Sequence, residues 1–315
     1  MTARSGAVVV AGEALVDLVP EPGGAFRPLL GGGPFNTARA LGRLGVPTAF
    51  VGAVSRDSFG DQLAATLAAD GVGLEDTLRT DLPTSLAVAQ LDAAGSATYR
   101  FYFGGTSAEG LEPATALRSL PQRVSALHVG GLGLVLEPLS SAVDALVERV
   151  AGHALIMVDA NVRPSLIQDW ERYSARLTRI VRRADVVKVS DDDLRALAPD
   201  RAPDVVAQEL LDQGPGIVLL TLGAEGAIAF GSFGARRVAA PSVTVIDTIG
   251  AGDTFSGCWL GRWFETGLPL SDADAVQEAT DFACRAAAVA CGRQGAIPPL
   301  RQDIPPPASR EDRAR

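Results

Sequence analysis

The 315-residue chain has a single lysine, Lys188, two histidines, His128 and His153, and three cysteines. Each scarcity removes a class of chemistry. With one lysine, in the strand-like ADVVKVS, and no GxxxxGK[ST] stretch, P-loop chemistry is excluded and a lysine Schiff base has one candidate. Both histidines lie in apolar runs, ALHVGG and GHALIMV, so a histidine-rich metal cluster is excluded and core or strand-end roles are expected. Cys258, Cys284 and Cys291 lack CxxC spacing and read as buried thiols of a reducing compartment. Basic residues are outnumbered, 28 against 37 acids, for a net charge of −9. No long-range basic field therefore draws nucleic acid or an anionic membrane. The local cluster RLTRIVRR (176–183) reads as a solvated helix face. No uncharged apolar run reaches the roughly 18 residues of a membrane span. The run in MTARSGAVVVAG is too short for a signal peptide, so a cytoplasmic protein is expected.

What is present is enough apolar residue, 47%, for a sizeable core. AVVVAG (7–12) reads as a strand buried on both faces, TAFVGAVS as a strand, and FGDQLAATLAADG as a helix stopped by Gly71. After residue 105 strands and helices alternate, which predicts a parallel sheet covered on both faces: a three-layer αβα domain over 1–300. Short β runs interrupt that rhythm. Those at about 13–31 and 84–104, the latter a hairpin turning at AAGS, are expected to pair into a small sheet acting as a lid. GAIAF and RRVAA form a second hairpin, SVTVID a strand, and 301–315 a mobile tail.

The stretch DTIGAGDTFSGCWLG (247–261) carries the sharpest chemical signal. A helix begins near Ala251, and its bare amides with the positive dipole end make an anion site. Gly250 and Gly252 let the backbone approach a phosphate. Asp253 then sets a carboxylate beside an anion, which is useful for taking a proton from an attacking hydroxyl. The plainer reading, a glycine turn with a capping aspartate, is open on this motif alone. GGGPFN (31–36) exposes backbone before a second helix, with Asn36 suited to sugar hydroxyls; its spacing is wrong for a dinucleotide fingerprint. Asp17 interrupts the apolar ALVDLV, and TLGAEG (221–226) places Thr221 and two glycines at a strand's C-terminal end.

Together GGGPFNTARALGRLG and DTIGAGDTFSGCWLG resemble the two signatures of the ribokinase-like (PfkB) carbohydrate kinases. GEALVDLVP, GAVSRDSFG, DANVRPSL, VKVSDDDL, TLGAEGA and GRQGAIP extend the likeness over nearly the whole chain, closest to the fructokinase branch. The resemblance implies an ATP- and Mg²⁺-dependent sugar kinase, acting on the primary hydroxyl of a neutral sugar, fructose first. The alternatives are a 2-keto-3-deoxygluconate or nucleoside kinase of the same fold, or a non-catalytic sugar-binding regulator. It implies Asp253 as base and the amides of Gly250, Ala251 and Gly252 as anion hole. Asp17, Gly32, Gly33, Asn36 and Arg163 fall to the sugar, and Ser190, Thr221, Gly223, Gly226 and Cys284 to the nucleotide. Asp247, Ile249, Ala290, Arg293 and Gly295 match a monovalent-cation (K⁺) site, and a homodimer through the lid is among the expectations. Three departures matter. The family's NxxE falls on Ser190 to Asp193, leaving Asp193 to organise Mg²⁺ through water, and Cys284 replaces an adenine-side asparagine. In FYFGGTSAEG, Phe103 stands where an arginine is usual, which removes a partner for a substrate carboxylate.

Overall fold

The computed structural model describes residues 5–91, 97–267 and 269–307. The first half of the chain supplies β1 (Ala7–Ala11), β2 (Leu15–Pro20), β3 (Phe26–Gly31), β4 (Thr48–Val51), β5 (Ala53–Ser55), β6 (Val72–Gly73), β7 (Leu78–Thr80), β8 (Ser85–Leu91) and β9 (Ala97–Tyr102). The second supplies β10 (Val124–Gly130), β11 (Leu155–Asp159), β12 (Val186–Ser190), β13 (Ile217–Thr221), β14 (Ala227–Gly231) and β15 (Gly234–Val238). Nine of these form one sheet in the order β15-β14-β13-β12-β11-β10-β1-β4-β6. Its strands run parallel except for the antiparallel edge made by β14 and β15.

Strand alternation divides the apolar residues between two cores. Val8, Val10, Met157 and Val186 join Phe35, Leu41, Trp259 and Phe282 on one face, beneath the helices Gly33–Arg43, Ala251–Thr266 and Ala273–Cys291. Val9, Ala11, Val158 and Val187 join Val143, Leu146 and Ile180 on the other, beneath Leu139–Val150 and Trp170–Val181. Because both faces are covered, the strands read as unbroken apolar runs. Truncating the fully buried Leu41 to alanine should cost about 2–5 kcal/mol.

The chain winds from β1 to β4 and β6 on one side, then returns to β10 on the other side of β1 and continues to β13. The C-terminal ends of β1 and β10 therefore flank the reversal point, where α/β sheets open a crevice. Over that crevice stands a separate sheet in the order β3-β2-β8-β9. The segments expected to pair do so: β2 is antiparallel to β3 and parallel to β8, which is antiparallel to β9. Register sets Leu29, Asp17, Ala87 and Phe101 in one row across it. The AAGS turn lies outside the described residues.

Several local expectations need correction. TAFVGAVS is two strands, because at Gly52 the chain leaves β1 and its carbonyl accepts from the amide of Leu78, carrying β5 to β7. SVTVID joins no sheet; Val243, Val245 and Ile246 are exposed, 41%, 58% and 63%, and the amides of Ile246 and Asp247 donate to the Cys291 carbonyl. Within RLTRIVRR, Arg176 is buried rather than solvated, bonded to Asp144, Ser140 and Glu137. The segment read as a tail opens with a 3₁₀ turn, Arg301–Asp303, followed by buried Ile304; residues 308–315 lie outside the description.

Candidate active site

Two pockets meet at the start of the helix Ala251–Thr266. The inner one, about 320 Å³, lies at the C-terminal ends of β1, β10 and β11 and is roofed by Leu15, Asp17, Tyr99 and Phe101 of the small sheet. The helix N-cap is Gly250, at φ +75°, with no side chain capping the amides that follow. A side chain there would be strained, and a Cβ would lie 2.6 Å from that of Ala296. Asp253 is not the cap, so that reading of the motif fails. Its side chain faces the inner pocket, where Oδ2 accepts from Asn36 Nδ2 at 2.9 Å and the backbone carbonyl accepts from Thr37 Oγ1 at 3.3 Å. Asn36 is thus a partner of Asp253 as well as a wall of the pocket, and its Oδ1 is buried without a partner.

Three carboxylates share this small space, and burial governs all of them. It pushes Asp253 up to about 6, against the pull of the Asn36 hydrogen bond. Asp17 also rises to about 6, through burial first and the nearby Asp253 charge second. Glu13, immediately beyond β1, is lifted furthest, to about 8, with the amides of Glu13 and Gly33 pulling the other way. Its Oε2 is buried and unpartnered. Arg163 lines the same pocket from an exposed position and favours the ionised form of all three. Gly32 and Gly33 complete the wall.

The outer pocket, about 570 Å³, opens at the C-terminal ends of β12 and β13. Ser190, Thr221, Gly223, Gly226 and Cys284 all line it, with Val243, Val245, Ala287 and Ala288 as an apolar wall. Burial pushes the Cys284 thiol up to about 12, so it stays a neutral, soft surface.

The metal expectations fare differently. Asp193 lines neither pocket. Its Oδ2 accepts from the Ser190 amide at 2.8 Å in a capping box, and its Oδ1 from the Val162 amide at 2.6 Å. The shorter side chain closes onto its own helix terminus, so the geometry does not fit a Mg²⁺ role for Asp193. Among the described residues no group of three or more His, Cys, Asp or Glu side chains gathers to hold a metal. Of the residues expected around a monovalent cation, Asp247 accepts from the amides of Ile249 at 3.0 Å and Gly295 at 2.9 Å, while the Arg293 amide donates to the Ala290 carbonyl at 3.0 Å in a separate helix-end turn.

Four residues of the site were not singled out for it from the sequence. Glu13 stands in the quoted GEALVDLVP and Asn161 in DANVRPSL; Asn161 lines the inner pocket at φ +38°, rare outside glycine. Asp159 and Lys188 are register partners on β11 and β12, with Lys188 Nζ 3.1 Å from Asp159 Oδ1. An acid and a base each interrupting an apolar strand was the available signal. Phe103 does not line the pocket itself; it packs among Leu15, Ala87 and Leu132 and stacks on Phe101, behind residues that do.

Residues 6–303 match the pfkB family carbohydrate kinase pattern, and the chain belongs to that family, whose members are phosphotransferases acting on a sugar hydroxyl. It is 40% identical over 256 residues to a fructokinase of Rhizobium leguminosarum bv. trifolii, covering 79% of this chain and 77% of that one. Its fold is similar to fructokinase with bound ATP from Xylella fastidiosa, with TM-score 0.84, 27% identity and 95% of each chain covered. It is similar also to fructokinase from Vibrio cholerae O395 in its fructose, ADP and calcium ion bound form, with TM-score 0.82, 28% identity and 93% and 94% covered. Among the described residues no helix is long and apolar enough to cross a membrane.

Proposed function

We propose that this member of the pfkB carbohydrate kinases binds fructose in the inner pocket and ATP in the outer one, and transfers the γ-phosphoryl group across the helix terminus between them. The observation that carries the reading is Asp253, half-buried in the first turn of an uncapped helix and facing the inner pocket beside the wall the two pockets share. The primary hydroxyl oxygen attacks the γ-phosphorus in line while its proton passes to the Asp253 carboxylate. The bond from that phosphorus to the β-phosphate oxygen breaks, and its electron pair leaves on ADP. The amides of Gly250, Ala251 and Gly252 stabilise the charge on the transferring oxygens. A base held near 6 is ionised at neutral pH yet still basic enough to accept the proton. Glu13, Asp17, Asn36 and Asn161 supply the donors and acceptors that hold the sugar's other hydroxyls. The small sheet serves as a lid that excludes water. A potassium ion would be held by Asp247, Ile249, Ala290, Arg293 and Gly295, steadying the turn that leads into Gly250.

Asp17 and Asp253, ionised at neutral pH, and a neutral Glu13 face one exposed arginine, while the Lys188 ammonium is paired with Asp159; this balance favours an uncharged sugar whatever Phe103 does. The test is ADP release from ATP with fructose, glucose, ribose, a nucleoside and 2-keto-3-deoxygluconate in turn. Fructose should have the highest kcat/KM, exceeding the carboxylated sugar by about tenfold to a hundredfold. A higher value for 2-keto-3-deoxygluconate would overturn the neutral-sugar reading, and fructose binding without turnover would mark a regulator.

A further inference from the structure

Lys188 is the chain's only lysine, and it sits where the two pockets touch. Among the described residues, only Lys188, Thr248 and Gly252 line both. Its ammonium is buried, 4% exposed as a residue, on the sheet face that carries the helix Ala251–Thr266. One hydrogen goes to Asp159 Oδ1 at 3.1 Å, while Asp159 Oδ2 accepts from Ser256 Oγ at 3.1 Å. The ion pair is therefore anchored from both the sheet and the helix. Nζ itself looks at the anion-binding turn: a methyl placed on Gly252 would lie 3.2 Å from it. Neighbouring acids, Asp159 foremost, outweigh burial and hold the ammonium above its usual range, so it stays charged.

A purely structural ion pair explains the contact with Asp159 but not the position of Nζ at the one wall common to both pockets. A buried ammonium has three hydrogens, and this one has a single protein acceptor in view. Asp193 is committed to backbone amides, and among the described residues no arginine lines the outer pocket. Lys188 is thus the side-chain cation at the crossing point.

We infer that Lys188 is a catalytic residue of phosphoryl transfer, its Nζ donating to a γ-phosphoryl oxygen as that group passes from the outer pocket to the inner one. The inference rests on the functional reading above. Lys188 neither gives nor takes a proton; the hydroxyl proton goes to Asp253 and the Pγ–O electron pair to ADP. Its contribution is fixed positive charge in a desolvated site, beside the amides of the turn. Asp159 and Ser256 are positioning residues for it.

Two measurements test this. Lys188→Met should lower kcat by about a hundredfold to a thousandfold with fructose KM and ADP affinity changed only severalfold. The double variant Lys188→Met/Asp159→Asn removes both buried charges, so its turnover can be read even if the single variant leaves Asp159 unpaired and unfolds. In either folded variant, ADP with aluminium fluoride and fructose should bind far more weakly relative to ADP alone than it does in wild type. The second measurement uses intact enzyme with lysine labelled at Nζ by a heavy nitrogen isotope, which gives one side-chain signal. That signal should shift when aluminium fluoride is added to the ADP–fructose complex. An unmoved signal, or folded variants with turnover within about threefold of wild type, would overturn the role. Wild type that fails to turn over fructose would instead sink the functional reading.

Discussion

The two pockets share a wall yet are built on opposite principles. The inner one gathers three carboxylates whose protons burial holds up to about 6, 6 and 8. The outer one is mainly glycine turns and small apolar side chains with a thiol kept neutral, and its charged lining is Asp191, Asp192 and the shared Lys188. One side controls charge and protons, and the other offers shape and backbone. A defect in the inner pocket should therefore appear in kcat and in pH dependence, and a defect in the outer pocket in nucleotide KM alone.

The sharpest break is Asp253→Asn. It nearly preserves shape but leaves the hydroxyl proton without an acceptor, so kcat should fall by about 10²–10⁴-fold while fructose affinity changes far less. Equal loss of fructose binding in a calorimetric titration would make Asp253 a positioning group. Next comes pH. A base raised to about 6 is active above that value and lost as pH falls through it. kcat/KM should drop about tenfold per unit below the limb and level off above it. An acid limb nearer 4, the ordinary carboxylate range, would show that Asp253 is not raised in the free enzyme, and a limb persisting in Asp253→Asn would belong to Asp17.

Stability gives a smaller effect. In the folded chain Glu13 titrates at about 8, raised by burial from the ordinary glutamate value of 4.5. Its contribution is fully present below the lower value and is lost as pH rises through the higher one, on the order of a few kcal/mol. Wild-type Tm should fall across that window, and Glu13→Gln should flatten the fall. Parallel melting curves for both proteins would remove Glu13 from the account. The smallest effect tests the other pocket: Val245→Ala trims a half-exposed apolar wall and should raise ATP KM about two- to fourfold, leaving fructose KM alone. A change in fructose KM of the same size would mean the pockets are not separable.

Much of this was legible in the residues. Buried strands, helix stops and the bare helix terminus at Gly250 are local matters, set by period and backbone freedom. Asn36 was legible as a polar residue near glycine amides, but its bond to Asp253 spans 217 positions and depends on how two helices pack. Lys188 and Asp159 were visible as charges in apolar strands; that they pair follows from register across a sheet, which no single strand encodes. SVTVID has a strand's composition and no strand's neighbours. Asp193 shows the reverse case: expected to reach outward toward a metal, it is held by the backbone amides of Ser190 and Val162 instead.

The reversal of strand order at β1 has a consequence for synthesis. β1 leaves the ribosome early, yet its partner β10 begins at Val124 and the carboxylate that Asn36 holds arrives only with Asp253. Contacts of such long sequence separation form late and slowly, with apolar strand edges open in the meantime. A half-made chain thus contains the small sheet and Glu13 but neither Asp253 nor the bare helix terminus at Gly250. On the mechanism proposed above, phosphoryl transfer therefore has to wait for the last strand pairings and the helix that carries Asp253, and until then the chain exposes an open sheet edge.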